Sequence, residues 1–242
     1  MTFKIVVDGG RLGLAASAMH SFAAEGFIHL DNPAEMFMRA TDVAGVGIVE
    51  CKIPCVCEGD ATMLAMEWDQ IPTDMSGPIV LEIDHRMNIG VGRINYKVDL
   101  LVPSTVHKVP EPKVPFGMVF DLPAGELYAG LKAVVGKLDT KDTSASVRFS
   151  WIENEFIIED GKQIKVDVTY EKKELVMRQE PVLPTFSSTF PATHIRSVTS
   201  MVGKFNRAIV AFGEFMPISV GVNGDNIGAG WFTAPMIPPG GK

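Results

Sequence analysis

The residues of this chain that could do covalent or metal chemistry are five histidines (His20, His29, His85, His107 and His194), three cysteines and a few acidic pairs. Their spacing argues against such chemistry. No histidine is paired with a carboxylate or a second histidine at ligand spacing, and no G-x-S-x-G, H-E-x-x-H or P-loop occurs. Cys51, Cys55 and Cys57 stand at odd positions with Ile53, so a strand puts all of them on one face. With no histidine nearby to complete a zinc set, these thiols read as core filler. Glu153 and Glu155 read as exposed positions on or beside a strand, not as a glycosidase couple. The glycines between Gly221 and Gly230 read as a hairpin around Asn223-Gly224 in preference to a phosphate cradle. Gly10 and Gly13, with Asp31 further on, imitate the end of a dinucleotide fingerprint, but Asp8 occupies the place of its first glycine. A dinucleotide-dependent enzyme is therefore the remote alternative. The expectation is a protein that is not an enzyme, with no catalytic residue, no metal and no cofactor.

Binding remains, and its signature is where the cations fall. The chain of 242 residues carries 29 acids against 22 bases, a formal net charge of −7. Leu12, Ala15, Ala16, Met19, Phe22 and Ala23 recur at helical spacing, with Asp8 or Gly9 placed to cap and Gly26 to terminate. Arg11, Ser17, His20 and Ser21 lie off that stripe. Leu127, Leu131, Val134, Val135 and Leu138 form a second stripe, with Lys132 away from it and Lys137 near its margin. Ile195, Val198, Val202 and Phe205 form a third, opposed by Arg196 and Ser200, with Lys204 beside them and Arg207 just beyond. From Pro191 to Gly213 there is no acidic residue, so helices collect positive charge while strands and loops carry the acidic excess.

Strand-and-turn text surrounds these helices. Short apolar bursts from Phe27 to Val56 are broken by Asp31-Asn32-Pro33 and Asp42, and the stretch from Glu67 to Met75 holds only a short helix because of Pro72. Between Val98 and Phe116, four prolines (Pro103, Pro110, Pro112 and Pro115) exclude a helix or central strand and predict a semi-rigid strap. On either side, FKIVVD from Phe3 and FGMVFD from Phe116 are short apolar strands that end in Asp and precede a helix. They stand 113 residues apart, Phe3 to Phe116, which reads as a duplicated domain. Ala16-Ser17-Ala18 imitates a signal-peptide cleavage site, yet Asp8 and Arg11 interrupt any apolar core, and no run approaches the roughly 18 apolar residues of a membrane span. A soluble intracellular protein is expected.

The closing stretch FGEFMPISVGVNGDNIGAGWFTAPMI resembles the last hairpin of the DNA sliding clamps of the proliferating cell nuclear antigen type, through Pro217-Ile218, Trp231-Phe232 and Ala234-Pro235-Met236-Ile237. MRATDVAGVGIVE, with Asp42, resembles that family's strand-turn-strand. VPEPKVPF resembles the end of its interdomain connector, and PAGELYAGLKAV the first helix of its second domain. The resemblance spans essentially the whole chain. It implies an α+β clamp fold of two similar domains, each with antiparallel sheets outside and helices lining the inner face of a ring. The implied division is residues 1–102, a connector of 103–115, a second domain of 116–237 and a tail of 238–242.

By position the resemblance places Arg11, His20, Lys132, Lys137, Arg196, Lys204 and Arg207 towards double-stranded DNA. It places Thr41, Val106, Val109, Pro217, Phe232, Ala234 and Ile237 at the site where DNA polymerase, clamp loader, flap nuclease and ligase insert a short hydrophobic-aromatic peptide. His20 stands where a lysine is common, Gly13 and Leu14 where lysines often sit, and Thr41 replaces a larger apolar residue. The implied function is a processivity clamp that forms a homotrimer by pairing Asn95 to Leu101 with Ile164 to Tyr170 of a neighbour. Its compartment would be cytoplasmic in an archaeon and nuclear in a eukaryote. The alternative within the resemblance is a checkpoint-type or virus-encoded paralogue in mixed rings.

Overall fold

The computed structural model describes residues 3–59, 62–106, 116–139, 141–161, 166–224 and 227–236. They cluster into two compact units, the first running to Val106 and including residues 227–229, the second holding the rest from Phe116. In the first, β1 (Phe3–Asp8) leads into α1 (Gly9–His20), followed by β2 (Glu25–Asn32), β3 (Glu35–Thr41), β4 (Gly47–Glu58), β5 (Met63–Glu67), a 3-10 turn (Trp68–Gln70), β6 (Pro78–Ile83), β7 (Arg86–Val91) and β8 (Ile94–Asp99). The strands pair antiparallel in the order β5-β2-β3-β4-β1-β6-β7-β8. β4 is long enough to serve twice: Ile48 to Pro54 pair with β3, and Cys55 to Glu58 with β1.

The second unit repeats the plan with that strand broken. β9 (Met118–Pro123), α2 (Ala124–Val135), β10 (Ser146–Ile152), β11 (Glu155–Asp160), β12 (Asp167–Glu171), a 3-10 turn (Lys172–Glu174), β13 (Val176–Gln179), β14 (Thr185–Pro191), α3 (Ala192–Val202), β15 (Arg207–Phe212), β16 (Ile218–Gly224) and β17 (Ile227–Thr233) follow in turn. They form the ladders β12-β11-β10-β14 and β13-β9-β15-β16-β17. β12 and β13 together take the place of β4, with the Glu171–Glu174 capping box turning the chain between them. α3 takes the place of the first unit's 3-10 turn, which Pro72 stops after Gln70.

Counted from the helix starts, Gly9 and Ala124, the repeat is 115 residues and not 113. Asp8 is the N-cap of α1, its carboxylate accepting from the Arg11 N–H at 2.9 Å, whereas Pro123 holds that position before α2. Asp121 therefore matches Val6 and not Asp8. The outward row Val56–Val6–Val80 across three strands of the first unit becomes Val176–Asp121–Ile209 in the second.

Alternation along the strands sends one face into each core. Met19, Ile28, Met36, Met38, Ile53 and Met87 fill the first, all fully buried. The second is aromatic: Phe120, Phe149, Phe156, Phe190 and Phe212 are fully buried, with Phe120 and Phe156 edge to face at 4.8 Å. Three local expectations are corrected. Gly26 lies inside β2 and does not end α1, because a Cβ there would sit 2.4 Å from the Arg39 carbonyl oxygen and 2.7 Å from the Trp68 ring. Asn223 and Gly224 are the last residues of β16, Asn223 pairing with Arg207, so they do not form the turn. The strap opens with a 3-10 turn, Pro103–Thr105, since a proline at the first helical position has its φ already set. Residues 107–115 of the strap and the expected tail lie outside the described residues.

Tyr170 fixes α2 to β12: its hydroxyl donates to the Glu126 carbonyl at 2.9 Å, and Gly130 leaves it room, since a Cβ there would lie 2.3 Å from that oxygen. Burial pushes the Tyr170 phenol up to about 12 from its ordinary 10. The folded chain thus holds the proton longer than the unfolded one, and stability falls as pH rises from 10 towards 12. Urea midpoints measured across that window should fall less steeply for Tyr170→Phe than for the parent; equal slopes would remove this residue from the cause.

Candidate nucleic-acid and peptide-binding sites

α2 and α3 pack against each other, and together they gather four of the cations expected to meet DNA. Lys132 is exposed on α2 with its ammonium 5.4 Å from the Tyr128 ring, and Lys137 is exposed in the turn that follows. Gly203, after α3, abuts Tyr128, a Cβ there coming within 2.8 Å of the ring, and the exposed Lys204 is next in sequence. Arg196 is half-buried: it donates to the Leu138 and Asp139 carbonyls, both at 3.2 Å, so it ties α3 to the end of α2. Leu138 and Phe205 lie beyond the helix ends, although Phe205 remains buried. In the first unit Arg11 is half-buried in the first turn of α1 and His20 is exposed in the last. α1 and α3 contain no acidic residue, and α2 carries Glu126 alone.

Arg207 does not belong with this set. It opens β15 and shares a sheet face with Ile209, while Ala208 and Val210 are buried on the core side against which α2 packs. Its guanidinium reaches the Asp121 carboxylate at 3.1 Å. Arg178, which the sequence did not single out, grips the same carboxylate through Nε and Nη2, the latter at 2.8 Å. Asp121 is 2% exposed, so this pairing is what makes its burial tolerable.

Two of the residues expected to hold a partner peptide share a cavity of about 330 Å3 in the first unit: Thr41 and Val106 line it with Phe22, Ala23 and Val43. Thr41 turns its hydroxyl inward to donate to the Gly47 carbonyl at 2.7 Å. Asp42 organises the same turn, accepting from the Gly47 N–H at 2.7 Å, and holds Val43 out at 90% exposure. Val106 seats on Phe27 and Ala65, anchoring the start of the strap to the β2–β5 face. The sequence missed Phe22 and Ala23 because it counted them in a helical stripe. α1 stops at His20, where Ser21 turns its hydroxyl back to the Ala18 carbonyl at 2.9 Å, and so frees both residues for the cavity. In the second unit Pro217, Phe232 and Ala234 are half-buried. Val109 and Ile237 lie outside the described residues.

Cys51 and Cys55 are buried in the core, and Cys57 is half-buried. Burial pushes Cys51 far up and Cys55 up to about 11, and raises Cys57, so none is a ready thiolate. Among the described residues no group of His, Cys, Asp and Glu could hold a metal ion, and no helix is long and apolar enough to cross a membrane.

Two like-built units, each with helices against antiparallel sheets, define the class: this is the fold of the DNA sliding clamps. Three solved structures of the proliferating cell nuclear antigen, PCNA, illustrate the match, each aligning with 97% of this chain. The C-terminal region of FEN-1 bound to A. fulgidus PCNA has TM-score 0.82 at 20% identity over 98% of that chain. PCNA from Thermococcus kodakaraensis has TM-score 0.77 at 18% identity over 100%. The PCNA2–PCNA3 complex from Sulfolobus tokodaii has 0.74 at 12% over 99%. No protein-family model and no curated protein matches the sequence.

Proposed function

We propose that this chain is a subunit of a sliding clamp that encircles duplex DNA and tethers replication and repair enzymes, and that it is not itself an enzyme. The observation that carries this is the doubled unit, matching PCNA over nearly the whole of both chains. Cations on an almost acid-free pair of helices support weak, sequence-independent phosphate contact, which holds a ring on DNA without stopping it. A polymerase held to such a ring by one peptide stays at high effective concentration over the primer end. The decisive test is processive synthesis on primed circular DNA by a clamp-dependent polymerase with its loader. A chain that neither assembles nor lengthens the products would overturn the proposal. The site of action would be intracellular, where duplex DNA is.

Ring closure would pair β8 of one subunit with β12 of the next. Among the described residues β8 pairs only with β7 and β12 only with β11, so each offers an open edge. Lys97 and Asp99 are both exposed on β8, while Asp167 and Glu171 are exposed on β12, so Lys97 offers the acidic β12 edge one complementary charge. Light scattering should report three times the 26.3 kDa subunit mass. A monomer that assembles only with a second, different chain would favour the mixed-ring reading, for which the Sulfolobus tokodaii complex is the precedent.

The cavity of Thr41 and Val106 would take the aromatic plug of a partner peptide, its rim completed by the exposed Val43. Val43→Glu leaves the core untouched and should weaken binding of a peptide from a flap nuclease C-terminus by about tenfold or more. Pro217→Glu should act in the same direction. Fluorescence anisotropy reads the effect, and unchanged affinity in an intact ring would move the site elsewhere.

A further inference from the structure

We propose that Arg178 and Arg207 form a recognition surface for an acidic, extended peptide segment of a partner protein. A single bidentate arginine is enough to neutralise the buried Asp121, yet two are gathered on it. Arg178 enters at a β-bulge, where the register shifts between Met177 and Gln179, and such a bulge re-aims a side chain. Both side chains remain more than half exposed, at 53% and 61%, so most of their N–H donors face solvent. Holding long side chains in one geometry is a cost that binding ordinarily carries, and the shared carboxylate has already met it. The three groups together leave one positive charge on a chain whose net charge is −7.

The surroundings choose the ligand. Val176, 57% exposed, and the half-buried Ile209 flank Asp121 in one row across three strands, which supplies aliphatic contact between the two guanidinium forks. β13 pairs with β9 on one side and, among the described residues, with no strand on the other, so an extended chain can lie beside it. Carboxylates on alternate residues of such a chain share a face at about 7 Å spacing, so successive ones can engage the two forks that meet at Asp121. Duplex DNA fits less well: the row lies on the sheet face away from α2 and α3, and a phosphate backbone offers nothing to Val176.

The test uses the whole protein and a short fluorescent peptide alternating Glu with Val, beside the same peptide with Gln for Glu and a duplex of equal charge. The acidic peptide should bind, the Gln peptide should not, and Arg207→Gln should weaken binding about tenfold while Arg178 still covers Asp121. Hydrogen exchange on the unaltered protein gives a readout that no variant can spoil: the acidic peptide alone should slow Val176 to Gln179. Equal binding of the two peptides, an unaffected Arg207→Gln, duplex binding that Arg207→Gln weakens as much as peptide binding, or unchanged exchange in β13 would each overturn the proposal.

Discussion

Reversing Lys132, Lys137 and Lys204 to Glu in one chain is expected to reduce loading onto primed DNA by at least about tenfold at low salt, with polymerase stimulation falling in parallel. Each reversal changes the charge by two units, so the helix layer of every subunit gains six negative charges where phosphates would pass. All three side chains are exposed and lie off the buried stripes of α2 and α3, so the fold should survive. The defect should shrink as salt rises, since screening shortens the reach of exposed charges. Arg196 is left out by design: its bonds to the Leu138 and Asp139 carbonyls mean that Arg196→Glu would weaken the packing of α3 on α2 and confuse the readout. A triple variant that loads like the parent at low salt would remove these lysines from the DNA-facing set without touching the fold.

The largest effect on stability should come from one methyl group. Gly26→Ala would drive a Cβ to within 2.4 Å of the Arg39 carbonyl oxygen, 2.7 Å of the Trp68 ring and 3.0 Å of the Ala40 Cβ. The first obstacle is backbone of the neighbouring strand, and the second is a fully buried indole, so neither can swing aside. β2 and β3 would have to separate locally, and overpacking of this kind costs about 2–3 kcal/mol. Urea denaturation should show the midpoint falling at constant slope. A loss below about 0.5 kcal/mol would mean that the strands yield more easily than their packing indicates.

Gly26 also shows where local sequence stops being informative. A glycine shortly after an amphipathic stripe resembles a helix terminator, and only the approach of β3 and the Trp68 ring reveals its task. The same limit hid the basis of the repeat. Asp8 and Asp121 close similar hexapeptides, but one caps a helix and the other is buried under Arg178, a residue 57 positions away with no periodic relation to it. What could be read were features with local period: the buried stripes of the three helices, the alternating thiols of β4 and the absence of acids around α3. The cavity of the first unit was half legible, because Thr41 and Val106 came through the family resemblance. Phe22 and Ala23 required knowing that α1 ends three residues earlier than Ala23. Strand pairing, which sets every outward row, depends on partners far apart along the chain.

The outward rows Val56–Val6–Val80 and Val176–Asp121–Ile209 occupy the same lattice points of two copies of one frame. If the copies descend from one ancestral unit, selection has kept strand order and inward burial while letting the exterior drift to opposite chemistries, bare valine in one and a charged cluster in the other. Each subunit then displays two unrelated faces on interchangeable scaffolding. Two such faces on one chain could offer different proteins different addresses while being built from a single gene.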